Sequence, residues 1–138
     1  MKKPADDSQA GLIDHLHPKR LIFVGSALKA MHTMPEAIMD KFGYDLWLIQ
    51  NGETPAGATP FEGAHGGNIM KLSERMDGET YRRVYAAKLL RAAFVLHVFQ
   101  KKSKLGIATP QSEINLVHAR FSSASQLYES LFSEGDRQ

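Results

Sequence analysis

Leu21-Ile22-Phe23-Val24 is an unbroken run of branched and aromatic residues closed by Gly25, the pattern of a strand buried on both faces. Ser26 suits a helix N-cap ahead of Ala27, Leu28, Ala30 and Met31, which predict a short helix. Thr33-Met34-Pro35-Glu36 has capping-box spacing with proline in the first turn, so a second, longer helix is expected to start there. Its apolar positions Ile38, Phe42, Leu46 and Ile49 recur at three and four residues, and Asn51-Gly52 closes it. The two helices should form a hairpin, with Tyr44 and Trp47 beside the apolar stripe and packed into the core.

Residues 51–67 hold five glycines and two prolines and predict a long loop. Beyond it, residues 69–74 and 80–86 read as strands around Asp77-Gly78, a hairpin turn. Residues 93–99 are the most apolar strand candidate and should lie centrally in the sheet. Thr109-Pro110 then reads as a helix start, with Ile114, Val117 and Phe121 as its buried stripe. Ser125 suits the start of a further short helix carrying Leu127, Tyr128, Leu131 and Phe132. The element order is β-α-α-β-β-β-α over residues 19–121. Residues 1–18 read as a flexible arm or a short docking helix, and residues 122–138 as a helical extension or tail.

A chain of 138 residues is long enough for one apolar core and short for two. Without cysteine, the fold must hold by packing, which fits a reducing compartment. No stretch approaches the ~20 apolar residues of a membrane span, and a soluble cytoplasmic protein is expected. Charge changes the picture more. Residues 68–120 carry ten Lys and Arg against four Asp and Glu, whereas residues 1–67 carry six against eight. Such a concentrated positive field attracts a polyanion, although a solvated basic face has the same composition.

Strand alternation sends Arg82, Val84 and Ala86 to one face and Tyr81, Arg83 and Tyr85 to the other. In the next strand, Val95, His97, Phe99 and Lys101 should share a face opposite Phe94, Leu96, Val98, Gln100 and Lys102. Arg82 with Lys101 or Lys102 in one cleft would grip a phosphate and stabilise the charge of a pentacoordinate transition state. RNA carries its own nucleophile, the 2′-hydroxyl, so a basic cleft needs only to orient it and move protons. His97 or a lysine of depressed pKa suits proton transfer; a histidine in the middle of an apolar strand is more often a hydrogen-bonded core residue than a catalyst, and His65 in the loop is the substitute. Lys71, Arg83 and Lys104 are candidate RNA contacts, and the lysines also suit solubilising edges and turns. Thr109, Pro110 and Glu113 read as helix-start grammar. The histidines show no metal-ligand spacing, so no metal and no cofactor are expected.

Thr80-Tyr81-Arg82-Arg83-Val84-Tyr85, then the run from Phe94 through His97, Phe99, Gln100, Lys101, Lys102, Ser103 and Lys104, then Thr109-Pro110 with Glu113-Ile114, together resemble the HigB branch of the RelE-like toxins, including its phage-derived members. The resemblance spans roughly residues 19–121. It implies a RelE-like α+β fold, a small antiparallel sheet flanked by an N-terminal helical hairpin and a C-terminal helix, and it implies cleavage of mRNA on the ribosome. By motif, Arg82 corresponds to the family's phosphate-gripping arginine, and Lys101 and Lys102 to the basic residues ending the following strand. Lys71 stands where some relatives use a strand lysine. A tyrosine or histidine that many relatives place after the last strand has no obvious counterpart. The resemblance also implies a cognate antitoxin, usually a helix-turn-helix DNA-binding protein, through which alone DNA would be contacted. The competing readings are a catalytically silent module that binds RNA or the antitoxin through the same surface, and a purely regulatory partner of a DNA-binding protein.

Overall fold

In the computed structural model, which describes residues 18–63, 67–102 and 109–136, the chain runs β1 (Arg20–Phe23), α1 (Ala27–Met31), α2 (Glu36–Gln50), β2 (Thr59–Pro60), β3 (Ile69–Met76), β4 (Glu79–Ala86), β5 (Ala92–Lys102) and α3 (Gln111–Asp136). The five strands form one sheet in the order β1-β5-β4-β3-β2. The fold is α+β, as expected, but the sheet is mixed rather than antiparallel, because β1 pairs parallel to β5. β5, expected at the centre from its apolar sequence, is an interior strand between β1 and β4, and β4 holds the middle position. β1 is an edge strand with Arg20 exposed and its other residues half-buried, so its apolar run is not covered on both faces. Residues 1–17, His65 and Lys104 lie outside the described residues.

The sheet separates two apolar layers. On one face, Met34, Ile38, Phe42, Leu46 and Ile49 of the helical segment meet Leu72, Tyr81, Tyr85, Ala93, Val95 and Val98. On the other, Val117, Ala124 and Tyr128 of α3 meet Ile69, Val84, Ala86, Phe94, Leu96 and Phe99. Full burial of a side chain such as Phe42 or Phe94 contributes about 1.5–3 kcal/mol. Helix periodicity placed the α2 stripe correctly, but Tyr44 and Trp47 are 58% and 43% exposed and stack on each other with ring centroids 6.1 Å apart. Expected in the core, they lie on the outer face of α2.

Local sequence explains most of the turns. Asp77 and Gly78 both take positive φ, 53° and 78°, which is the requirement of a tight hairpin turn between Met76 and Glu79. The capping box at Thr33 does not form. Pro35 occupies the N-cap of α2, and the Thr33 hydroxyl instead donates to the Ala30 carbonyl at 2.7 Å. The glycine-rich loop contains a two-residue strand the composition concealed: β2 pairs with Lys71 and Met70 of β3. Proline is tolerated in β2 because it lies at the sheet edge. α3 continues unbroken past Ser125, so the two expected C-terminal helices are one. Among the described residues, no helix is long and apolar enough to cross a membrane.

A bulge in β5 decides what shares a face. Val84 pairs with His97 and Tyr85 with Val95, which leaves Leu96 without an opposite residue. An extra residue in one strand reverses the alternation beyond it. Phe94 and Leu96 face α3, and after the bulge so do His97 and Phe99, while Val95 and Val98 face α2. The expected grouping of Val95 with His97, Phe99 and Lys101 is therefore broken after its first member.

Candidate functional site

Lys71, Arg82 and Lys101 reach one face of the sheet from three adjacent strands, in register with Val84, Phe99 and Thr80 respectively. They converge at the end of α3, where the chain enters that helix. Arg82 Nη1 donates to Thr109 Oγ1 at 2.8 Å, and the Thr109 hydroxyl donates to Glu62 Oε2 at 2.8 Å. Lys71 Nζ donates to the same oxygen at 3.2 Å. The result is a chain of polar contacts from β4 through the start of α3 to the β2–β3 loop, with Lys71 closing it from β3.

Glu62 is held there from both sides. Phe61, 2% exposed, plugs the α3-side core, and its N–H donates to the Ile69 carbonyl at 2.9 Å. The Glu62 carbonyl accepts from His118 Nε2 at 2.9 Å. Gly63 follows with φ +78°, and a Cβ there would stand 3.1 Å from His118 Nε2, so glycine meets both the backbone and the space requirement. Burial raises the Glu62 pKa, but the Thr109 hydroxyl, a backbone amide and Lys71 more than offset it, leaving the carboxyl below its ordinary value. Lys101 shifts down as well: desolvation and the charges of Arg82 and Lys71 lower its pKa, against the pull of Glu62. These shifts record one electrostatic neighbourhood of three cations and one carboxylate.

Beside it, His97 joins β5 to α3. Its Nε2 lies 2.5 Å from Glu113 Oε1, and Arg120 Nη1 approaches its Nδ1 at 3.5 Å while donating to the Leu96 carbonyl at 2.8 Å. Arg120 also donates to Ser26 Oγ at 3.1 Å, passing over Gly25, where φ is +57° and a Cβ would meet the guanidinium at 3.0 Å. The guanidinium thus caps the carbonyl of the bulged residue Leu96. Burial lowers the His97 pKa; Glu113 opposes that shift, and Arg120 adds to it. With Nε2–H donated to Glu113, Nδ1 is the acceptor facing Arg120. The ring stacks on Phe99 at 4.6 Å. Both nitrogens are thus engaged, in keeping with the structural alternative for this histidine.

Arg83 departs from the expected RNA contact. Its side chain is 1% exposed, because strand alternation turns it under α2. There its guanidinium lies 3.6 Å from Asp45 and 3.8 Å from Glu74 and over the Phe42 ring at 5.1 Å. Lys102 ends β5 opposite Glu79, and its side chain lies outside those described. Sequence reasoning missed Glu62, Arg120 and His118, and it read Thr109 and Glu113 as helix-start residues. Thr109 does not cap α3: the first-turn N–H groups of Glu113 and Ile114 bond to the Pro110 carbonyl. The helix does start directly after Thr109-Pro110 with Glu113 in its first turn, and the same residues also serve the sheet face through Arg82 and His97. Among the described residues, no group of three or more His, Asp or Glu side chains can hold a metal ion.

The sequence profile described as Phage derived protein Gp49-like (DUF891) matches residues 29–122, well over half the chain. The chain belongs to the Gp49-like family. The Gp49-like segment begins within α1 and ends within α3. It contains every contact of the site from Glu62 to Arg120 except the Ser26 end of the Arg120 bridge. The edge strand β1 and the last turns of α3 lie outside it. No curated protein matches the chain. Among solved structures, a chain of the toxin-antitoxin complex RelBE2 from Mycobacterium tuberculosis is similar at 18% identity, with a TM-score of 0.43, covering 64% of this Gp49-like chain and 97% of that one.

Proposed function

We propose that this Gp49-like protein is the toxin of a type II toxin–antitoxin pair, on the HigB branch of the RelE-like toxins, and that it cuts mRNA on the ribosome. The observation that carries the reading is the convergence of Lys71, Arg82 and Lys101 from three neighbouring strands onto one sheet face. Three cations gathered around one point match a phosphodiester, whose charge rises in the transition state of strand cleavage. Arg82, the only arginine of the three, supplies the planar fork that suits phosphate oxygens. Lys101, opposite Thr80 on the Arg82 face, is the proton donor for the departing 5′ oxygen in this reading, and desolvation with the neighbouring charges of Arg82 and Lys71 lowers its pKa in the direction that helps. His97, with both ring nitrogens engaged, holds α3 against β5 and so positions Thr109 beside Arg82. Lys102, whose backbone follows Lys101 in β5, and Lys104, which lies outside the described residues, are proposed as further RNA contacts from the sequence alone.

The partner in this reading is a protein antitoxin of the helix-turn-helix class, and DNA is met only through it. Induction without the neighbouring antitoxin gene tests the reading. Growth should stop with the wild-type protein and continue with Arg82→Ala, whose folding is checked by circular dichroism. Arrest of growth by folded Arg82→Ala would remove Arg82 from the chemistry. Ribosome association without any RNA cleavage would favour the catalytically silent module.

A further inference from the structure

Glu62 is a carboxylate inside a cluster built for an anion. One oxygen, Oε2, accepts from Thr109 and Lys71. The other, Oε1, is buried and among the described residues has no hydrogen-bond partner, and the same holds for Nε of Arg82. A buried acceptor and a buried donor left unmade in the same cluster are unfavourable, so the resting contacts are easily exchanged for better ones. An arriving phosphodiester offers two oxygens to Arg82, Lys71 and Lys101, and thereby takes the cations that now hold Glu62.

We propose, resting on the reading of this face as a ribonuclease site, that Glu62 is the general base of the reaction: the resident anion of the free site, which turns into the proton acceptor when the RNA phosphate takes its cations. The electrostatics work in that direction. In the free protein Lys71 and Thr109 hold the carboxyl below its ordinary range. Losing Lys71 to the phosphate, and gaining a negative neighbour, raises the proton affinity of Glu62 at the moment substrate arrives. Glu62 then takes the 2′-hydroxyl proton, the O2′–P bond forms, and the P–O5′ bond breaks. The departing O5′ takes its proton from the Lys101 ammonium, leaving a 2′,3′-cyclic phosphate and a free 5′-hydroxyl. Water then restores the carboxylate and the ammonium.

This role separates binding from chemistry. Glu62→Gln keeps an oxygen to accept from Thr109 but neither competes with phosphate for Lys71 nor takes a proton. On ribosomes programmed with a short mRNA, the single-turnover cleavage rate should fall roughly 100-fold or more. Binding of the same mRNA carrying 2′-deoxyribose at the position the wild-type protein cuts should stay equal or become tighter. The acid limb of the pH–rate profile should disappear in Glu62→Gln, and Glu62→Asp should restore part of the rate. Wild-type cleavage by Glu62→Gln, or a parallel loss of cleavage and binding, overturns the role of Glu62 while leaving the site itself in place. If Arg82→Ala also cleaves like wild type, the site reading fails and Glu62 fails with it.

Discussion

Arg82 and Arg83 are consecutive residues of β4 whose guanidinium groups lie on opposite sides of the sheet, one bonded to Thr109 beside Lys71 and Lys101, the other sealed under α2 between Asp45 and Glu74. Side-chain period two makes this division of labour obligatory. It also means that two chemically identical substitutions should have different consequences.

Arg83→Ala leaves Asp45, 1% exposed, without its buried arginine partner and opens a cavity over Phe42. Because Lys41 still holds Asp45 at 2.9 Å, the expected stability loss is about 1–3 kcal/mol, short of the full cost of a broken buried pair, read as a lower urea midpoint. Arg82→Ala, on the half-buried face, should unfold near the wild-type midpoint. Equal midpoints for Arg83→Ala and wild type would contradict the burial of Arg83.

Thr109 is 5% exposed and links Arg82 to Glu62 through one hydroxyl. Thr109→Val conserves shape but removes the acceptor of Arg82 and the donor to Glu62, which should lower stability by about 1–3 kcal/mol. Activity should fall roughly tenfold as Arg82 loses its orientation. Thr109→Ser should retain both, measured by urea titration and by growth inhibition. If Thr109→Val is as toxic as wild type, the hydroxyl does not position Arg82.

His97 makes stability depend on pH with a definite sign. Its folded pKa lies below the ordinary 6.5, chiefly through burial, so near and below that value the unfolded chain binds more protons than the folded one. The contribution is complete above the unfolded pKa and is lost as pH falls through the folded pKa. Thermal unfolding followed from pH 7.5 downwards should show a steeper decline for wild type than for His97→Gln. Parallel declines would place the titration elsewhere.

The legible and illegible parts of the chain divide along a physical line. Periodicity is local, so the α2 stripe from Ile38 to Ile49, the Asp77-Gly78 hairpin and the opposed arginines could all be read from neighbouring residues. The bulge at Leu96 could not, because inserting one residue between apolar neighbours leaves the run Val95-Leu96-His97-Val98 looking like uninterrupted alternation. That single residue puts His97 and Lys101 on the Arg82 face. Glu62 sits in a glycine-rich loop with no periodicity, and its partner Thr109 is 47 positions away. Only the pairing of β2 with β3 and the docking of α3 bring them together. Tyr44 and Trp47 were misplaced because a large aromatic next to an apolar stripe has the same spacing whether it faces in or out.

The face bearing Lys71, Arg82 and Lys101 is proposed to cut RNA. Mapping the 5′ ends of cellular transcripts after induction, with wild-type protein and with Arg82→Ala, tests it most directly. New ends within coding regions should follow wild-type induction and be missing with Arg82→Ala. Growth arrest by the wild-type protein with no new ends would contradict it.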